Sequence, residues 1–229
     1  MKHISIIVSN GAILGNVEGP RQVFTEANQY LESAGRSALF EVHLVSLTKE
    51  AQLNDGLYTI STKLINEIKK TDLIIIPAMY GDLERAIQNN KDFIPWIVSQ
   101  YEKGAEVASL CLGAFLLAST GLLSEKKCAT HWLAANAFRK MFPDVNLLED
   151  KIITDESGIY SSGGAYSSLN LILYLVEKYA GRDTAVFCSK AFQIDIQRDS
   201  QSPFTIFIGQ KEHEDESIKK AQEFIENNF

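Results

Sequence analysis

The stretch "ASLCLGAFLLASTGLL", residues 108–123, sets a cysteine between an apolar strand-like run and a glycine that opens a helix-like run. A strand that turns directly into a helix presents its last side chain at the carboxyl edge of a parallel sheet, where ligands bind in open α/β folds. The unpaired N–H groups and positive dipole end of the following helix favour a thiolate at that point and can stabilise an oxyanion. Gly113 and Ala114 are small enough to let the turn close. The same position also suits an inert thiol, because free cysteine is among the most buried residue types. Cys111 therefore has two readings at this level, a nucleophile or ligand-contacting residue and a small core hydrophobe.

The flanking sequence supplies the sheet that such a turn needs. "ISIIVS" (4–9), "FEVHLVSL" (40–47), "DLIIIPA" (72–78) and "AEVASLC" (105–111) are short apolar runs separated by helix-like segments. That alternation predicts an α/β domain with an open, mostly parallel sheet and helices on both faces. A helix over 21–35 is led in by Gly19 and Pro20, and helical segments fill 82–103 and 113–121. Asn54-Asp55-Gly56 predicts a small hairpin within 51–62, and Ser157-Gly158 another within "KIITDESGIYSSGG". A long buried helix then ends at Gly181, and a further one covers 182–192.

Composition narrows the class. In 229 residues, 45% are hydrophobic and 22% charged, as in an ordinary soluble globular protein. No run approaches the ~20 apolar residues of a membrane span, and "MKHISIIVSN" is too short and polar for a signal peptide, so a cytoplasmic protein without membrane contact is expected. The three cysteines, Cys111, Cys128 and Cys188, are widely spaced and form no CxxC pair. Neither a disulfide framework nor a metal site is suggested, and no cofactor is expected. A net charge of −7 argues against a nucleic-acid surface, so any DNA contact needs another domain.

A second strand-to-helix turn falls at His131 in "CATHWLAANAFRKMFP", one crossover after Cys111. A Cys/His pair is a recognised way to activate a thiol. A histidine beside Trp132 equally suits a structural hydrogen-bonding role.

"AEVASLCLGAFLLASTGLLSEKKCATHW" resembles the nucleophile-elbow region of the ThiJ/PfpI branch of the class I glutamine amidotransferase-like superfamily. "VEGPRQVFTEAN" and "YSSGGAYSSLNLILYLVEKYAGRDTA" resemble segments of the amidase-like sensor domains found at the N-terminus of AraC-type transcription regulators. The resemblance spans about residues 3–205 and implies a flavodoxin-like fold. It places the family cysteine on Cys111 and the family histidine on His131. A backbone oxyanion donor falls near Ala78 and Met79, where the Met79 side chain narrows the pocket, and Gly164 belongs to the same expected pocket. The acid that often bonds the thiol in this family is replaced by Asn16, which cannot act as a carboxylate base. Glu18 would substitute only if its loop turned it inward. Leu112 follows the cysteine where catalytic members often carry a polar residue, and a further conventional acid is Asn170. These losses imply a pocket kept for binding more than for catalysis.

"HEDESIKKAQEFIENNF" predicts an amphipathic helix starting near Asp215. It resembles the first helix of an AraC-type DNA-binding region, and "RDSQSP" resembles the linker before it. The expected organisation is a sensor domain over 1–197 and a linker with first-helix remnant over 198–229. Expected partners are a small-molecule effector and a second copy of the chain, with DNA reached only through helix-turn-helix units that would follow. The competing function is a cysteine-dependent amidase, isocyanide hydratase or glyoxalase-like enzyme.

Overall fold

Eleven strands and eight α-helices make up the computed structural model, which describes residues 1–54, 56–205 and 215–228. The strands are β1 (Lys2–Ile7), β2 (Phe40–Ser46), β3 (Glu50–Leu53), β4 (Tyr58–Ser61), β5 (Lys63–Leu64), β6 (Leu73–Ile76), β7 (Glu106–Ser109), β8 (Lys127–Cys128), β9 (Asn146–Leu147), β10 (Ile153–Glu156) and β11 (Ile159–Ser162). The helices are α1 (Leu14–Ser33), α2 (Leu83–Asn90), α3 (Ile94–Glu102), α4 (Gly113–Ser119), α5 (Ala135–Met141), α6 (Ser168–Ala180), α7 (Arg182–Ala191) and α8 (Glu216–Asn228).

Seven strands form the main sheet in the order β10-β11-β7-β6-β1-β2-β5, all parallel except β10, which returns antiparallel along β11. The chain passes from β1 to β2 on one side and then places β6 on the other. The order thus reverses beside β1, and open α/β sheets bind ligands in the crevice that such a reversal opens. Ser157 and Gly158, with φ of 56° and 76°, make the primed turn that the hairpin sequence predicts.

Alternation along the central strands divides the core. Leu73 and Ile75 join Ile4 and Ile6 under α1 and α6, whereas Ile74 and Ile76 join Val107 under α4. Each of these side chains is essentially excluded from water, and each contributes about 1.5–3 kcal/mol relative to exposure. Asp82 caps the start of α2, its Oδ1 accepting from Arg85 N–H (2.8 Å), and a 3-10 turn over Lys91–Phe93 followed by Pro95 in the first turn of α3 divides the helical stretch 82–103 into two helices.

The first helix departs from expectation. It begins at Leu14, well before Gly19-Pro20, and carries Pro20 inside it. An interior proline normally costs ~3 kcal/mol, because it removes an N–H and crowds the preceding turn. Here Asn16, Val17 and Pro20 are all buried, and Ile13 N–H bonds the Ala78 carbonyl at 2.8 Å, so tertiary contacts hold the extra turns. After α7 the chain crosses back over the domain. Asn170 Nδ2 bonds Asp195 O at 2.6 Å, and Ser200 pairs with Lys151 in an isolated bridge. Helix α8 matches the predicted amphipathic segment and buries none of its residues. Asp55, at the centre of the first predicted turn, lies outside the described residues, but β3 and β4 form the hairpin on either side of it.

Candidate functional site

Cys111 sits at φ 53°, in the left-handed region that a side chain normally avoids at a cost of roughly 1–2 kcal/mol. Its neighbours fix it there. Its N–H bonds Ser162 Oγ at 3.3 Å, its carbonyl accepts from Thr130 Oγ1 at 3.0 Å, and Leu110 N–H bonds Ile76 O at 2.9 Å. Gly113 lies so close to the carbonyls of Ile76 and Pro77 that a Cβ would come within 2.5 and 2.7 Å of them. The strand, elbow and helix are thereby locked into one tight turn.

The thiol receives backbone N–H groups from Ala165 and Leu112. Ala165 is itself left-handed, with φ 49°, so two strained residues face each other. Behind Ala165, Ser168 Oγ donates to its carbonyl at 2.8 Å, and Asn16 Nδ2 donates to Ser168 Oγ at 3.1 Å. Asn16 therefore supports the donor of the thiol and does not bond the thiol itself.

Burial pushes the Cys111 thiol up from its ordinary value, against the smaller opposing effect of the two N–H groups. This corrects the expectation of a lowered pKa. Desolvation outweighs the local donors in a residue only 4% exposed. Cys128 is pushed to about 12 and Cys188 to about 11, both chiefly by burial.

His131 caps the short turn that follows it, with Nδ1 accepting from Leu133 N–H at 3.2 Å. That bond leaves the proton on Nε2, and burial holds the imidazole below its usual pKa, so the ring is a neutral donor. No hydrogen bond joins His131 to Cys111 among the described residues. Gly164 lies flat against the imidazole, and a Cβ there would stand 2.2 Å from Cδ2.

A cavity of about 260 Å³ opens beside this layer. His131, Trp132 and Gly164–Ser167 form one wall, and Arg198, Gln201 and Phe204 form the other. Gln201 is the pin of the second wall. Its Nε2 donates to the carbonyls of Thr130 (2.9 Å), Glu149 (2.7 Å) and Lys151 (3.2 Å), and its Oε1 accepts from Gly164 N–H (3.3 Å).

The fold thus gathers Cys111, Leu112, His131 and Gly164 into one layer, with Asn16 behind it, linked through Ser168 and Ala165. Glu18 is not brought in, because its carboxylate is held by Arg21 at 2.6 and 2.7 Å, an interaction that lowers its pKa. Met79 is fully buried below the site, where its sulfur accepts from Asn90 Nδ2 at 3.3 Å. Sequence reasoning missed Arg198, Gln201 and Phe204, which fall in a stretch read as linker. A possible metal-ligand cluster among the described residues is His3, Glu41 and His43, near the amino ends of β1 and β2. Lys63 Nζ stands 3.5 Å from His43 Nε2, so a cation already occupies the approach.

An elbow cysteine at the carboxyl edge of an open, mostly parallel sheet, facing a loop that donates a backbone N–H to it, defines a class of α/β domain. The chain belongs to the DJ-1/PfpI family, whose model matches residues 2–178. It is 27% identical over 172 residues to the HTH-type transcriptional regulator CdhR of Pseudomonas aeruginosa, an alignment covering 74% of this chain and 50% of that protein. It is 26% identical over 132 residues to the isonitrile hydratase of Pseudomonas putida, covering 57% of this chain and 55% of that one. The chain spans about half the length of the curated relatives it matches. The crystal structure of an AraC family transcriptional regulator from Pseudomonas putida covers 84% of this chain and 100% of its own, with TM-score 0.64 at 18% identity. No helix among the described residues is long and apolar enough to cross a membrane.

The geometry orders the thiols. Cys111 is 4% exposed and bonds Ala165, which lines the cavity, whereas Cys128 and Cys188 are wholly buried. Iodoacetamide or mild peroxide should modify Cys111 first, though more slowly than a free cysteine, because the thiolate is the reactive form. Peptide mass spectrometry reads this directly. Earlier modification of Cys188 would contradict the elbow as the accessible thiol.

Proposed function

We propose that this chain is the ligand-sensing and dimerising part of an AraC-family transcription regulator, with a sensor domain over 1–197 and a linker and first DNA-domain helix over 198–229. One observation carries the reading. One wall of the cavity beside the elbow cysteine is the linker segment itself, so whatever fills it touches the chain that leads to α8. Two others support it. Burial raises the thiol's pKa and no base among the described residues bonds it, and Asn16 and Glu18 are both engaged elsewhere. Helix α8 leaves Ile218, Phe224 and Ile225 at 50%, 64% and 57% exposure, as a helix does when its apolar face belongs to another domain. The regulator relatives agree with this reading.

The enzyme reading makes the opposite prediction about turnover. With amide, isonitrile and methylglyoxal substrates, the chain should show no Cys111-dependent activity, because no group takes the thiol proton. Fused to a complete helix-turn-helix region, it should retard DNA from upstream of its own operon. Alone, with a net charge of −7, it should not. Robust turnover abolished by Cys111→Ala would replace the sensor reading with the hydratase or amidase one.

A further inference from the structure

Among the described residues, Arg198 is a cation without a counter-ion. Its side chain lines the cavity, its Nε is buried with no hydrogen-bond partner, and the ion pairs among the described residues do not include it. The guanidinium carbon stands 4.0 Å over the centre of the Phe204 ring. That contact steadies the charge, but a ring face does not satisfy the N–H. A buried donor left unmade is costly, and such groups in a folded protein call for a reason.

The rest of the cavity shows what would satisfy it. Among the described residues, no acid lines the walls. His131 offers only its Nε2–H, since Nδ1 already accepts from Leu133 N–H. Ser167 Oγ donates to Gly164 O, and the Gln201 carboxamide is fully used in pinning the linker. Apart from the Ser167 and Tyr166 hydroxyls, which can both donate and accept, the unspent polar capacity is donating and cationic, set among the aromatic rings of Trp132, Tyr166 and Phe204. A charged donor with nothing to accept from it in a partly apolar cavity selects an anion carrying a small organic body.

We propose that the cavity binds a small organic carboxylate, its oxygens accepting from Arg198 and its body lying against the three rings. The inference deepens the sensor reading and rests on it. Arg198 and Phe204 belong to the linker, whereas His131, Trp132 and Tyr166 belong to the domain, so a bound carboxylate ties one to the other. Occupancy then favours the docked linker by mass action.

The test uses the 229-residue chain with acetate, butyrate, hexanoate and benzoate, each against its primary amide, which matches it in shape and lacks the charge. Thermal shift and calorimetric titration should show at least one carboxylate binding saturably, with about tenfold or greater preference over its amide. Arg198→Gln should remove the preference, and Arg198→Lys should keep part of it because the charge remains. The same carboxylate should slow proteolytic cutting within residues 198–205. The proposal is overturned if no carboxylate is preferred to its amide, or if the preference survives Arg198→Gln. Cys111-dependent turnover would instead overturn the sensor reading. An amide bound as well as its acid in a His131-dependent way would leave that reading standing and refute only the anion.

Discussion

Replacing Gly113 with alanine should destabilise the protein by about 2–4 kcal/mol and lower Tm by roughly 5–15 °C. The new methyl would lie 2.5 Å from the Ile76 carbonyl and 2.7 Å from that of Pro77. Both obstacles are backbone atoms of the chain leaving the central strand β6, and neither can rotate away. Ile76 O already accepts Leu110 N–H at 2.9 Å, so moving it disturbs the strand pairing that ends at the elbow. A glycine-to-alanine change inside a helix otherwise gains up to about 1 kcal/mol, and Gly15 in α1 supplies the control. Nothing lies within 4 Å of a Cβ there, so Gly15→Ala should be neutral or slightly stabilising. Urea unfolding of the two variants beside the parent chain makes the comparison. Equal stability of Gly113→Ala and the parent would mean that the elbow is looser than drawn, and with it the strained setting of Cys111.

The elbow was readable from sequence because its causes are local. An apolar run, a cysteine and a small-residue helix start lie in adjacent positions, whereas the left-handed φ of Cys111 is held by the distant Ser162 and Thr130. Local signals likewise mark the parallel strands and the Ser157-Gly158 turn. The start of α1 was not readable, because Gly19-Pro20 is a sound start signal by local rules, and only contacts with the distant Ala78 loop override it. The thiol illustrates the same division. The helix dipole and the Leu112 N–H are local and argue for a lowered pKa, whereas the burial that outweighs them arises only when the chain folds around the thiol. Arg198 and Gln201 carried no signal at all. A single glutamine in a polar, turn-rich stretch has no periodicity to betray that it is buried, and its partners Thr130, Glu149, Lys151 and Gly164 come together only in the fold.

That glutamine yields the second large effect. Gln201 is 2% exposed, and its carboxamide packs against Gly163, where a Cβ would come within 2.9 Å of Oε1. Gln201→Ala removes the donor shared by three carbonyls and leaves a polar void, a loss of about 2–4 kcal/mol. Part of that loss should be local. Limited proteolysis and hydrogen exchange should show residues 198–205 opening well below the temperature at which the sheet unfolds. Gln201→Glu separates the carboxamide's donor role from its volume, since it keeps the size and sets anionic oxygens against three carbonyls. The introduced carboxyl would favour its neutral, proton-bearing form, so its pKa in the folded chain should lie above the ordinary carboxylate value. The stability that this form retains is then present below that ordinary value and is lost as pH rises through the folded one. Gln201→Glu should accordingly be at least as damaging as Gln201→Ala at neutral pH and should recover relative to it in mild acid. A Gln201→Glu chain as stable as the parent at pH 7, with its linker still resistant to protease, would show that the three carbonyls do not depend on this donor and that some other contact holds the linker against the cavity.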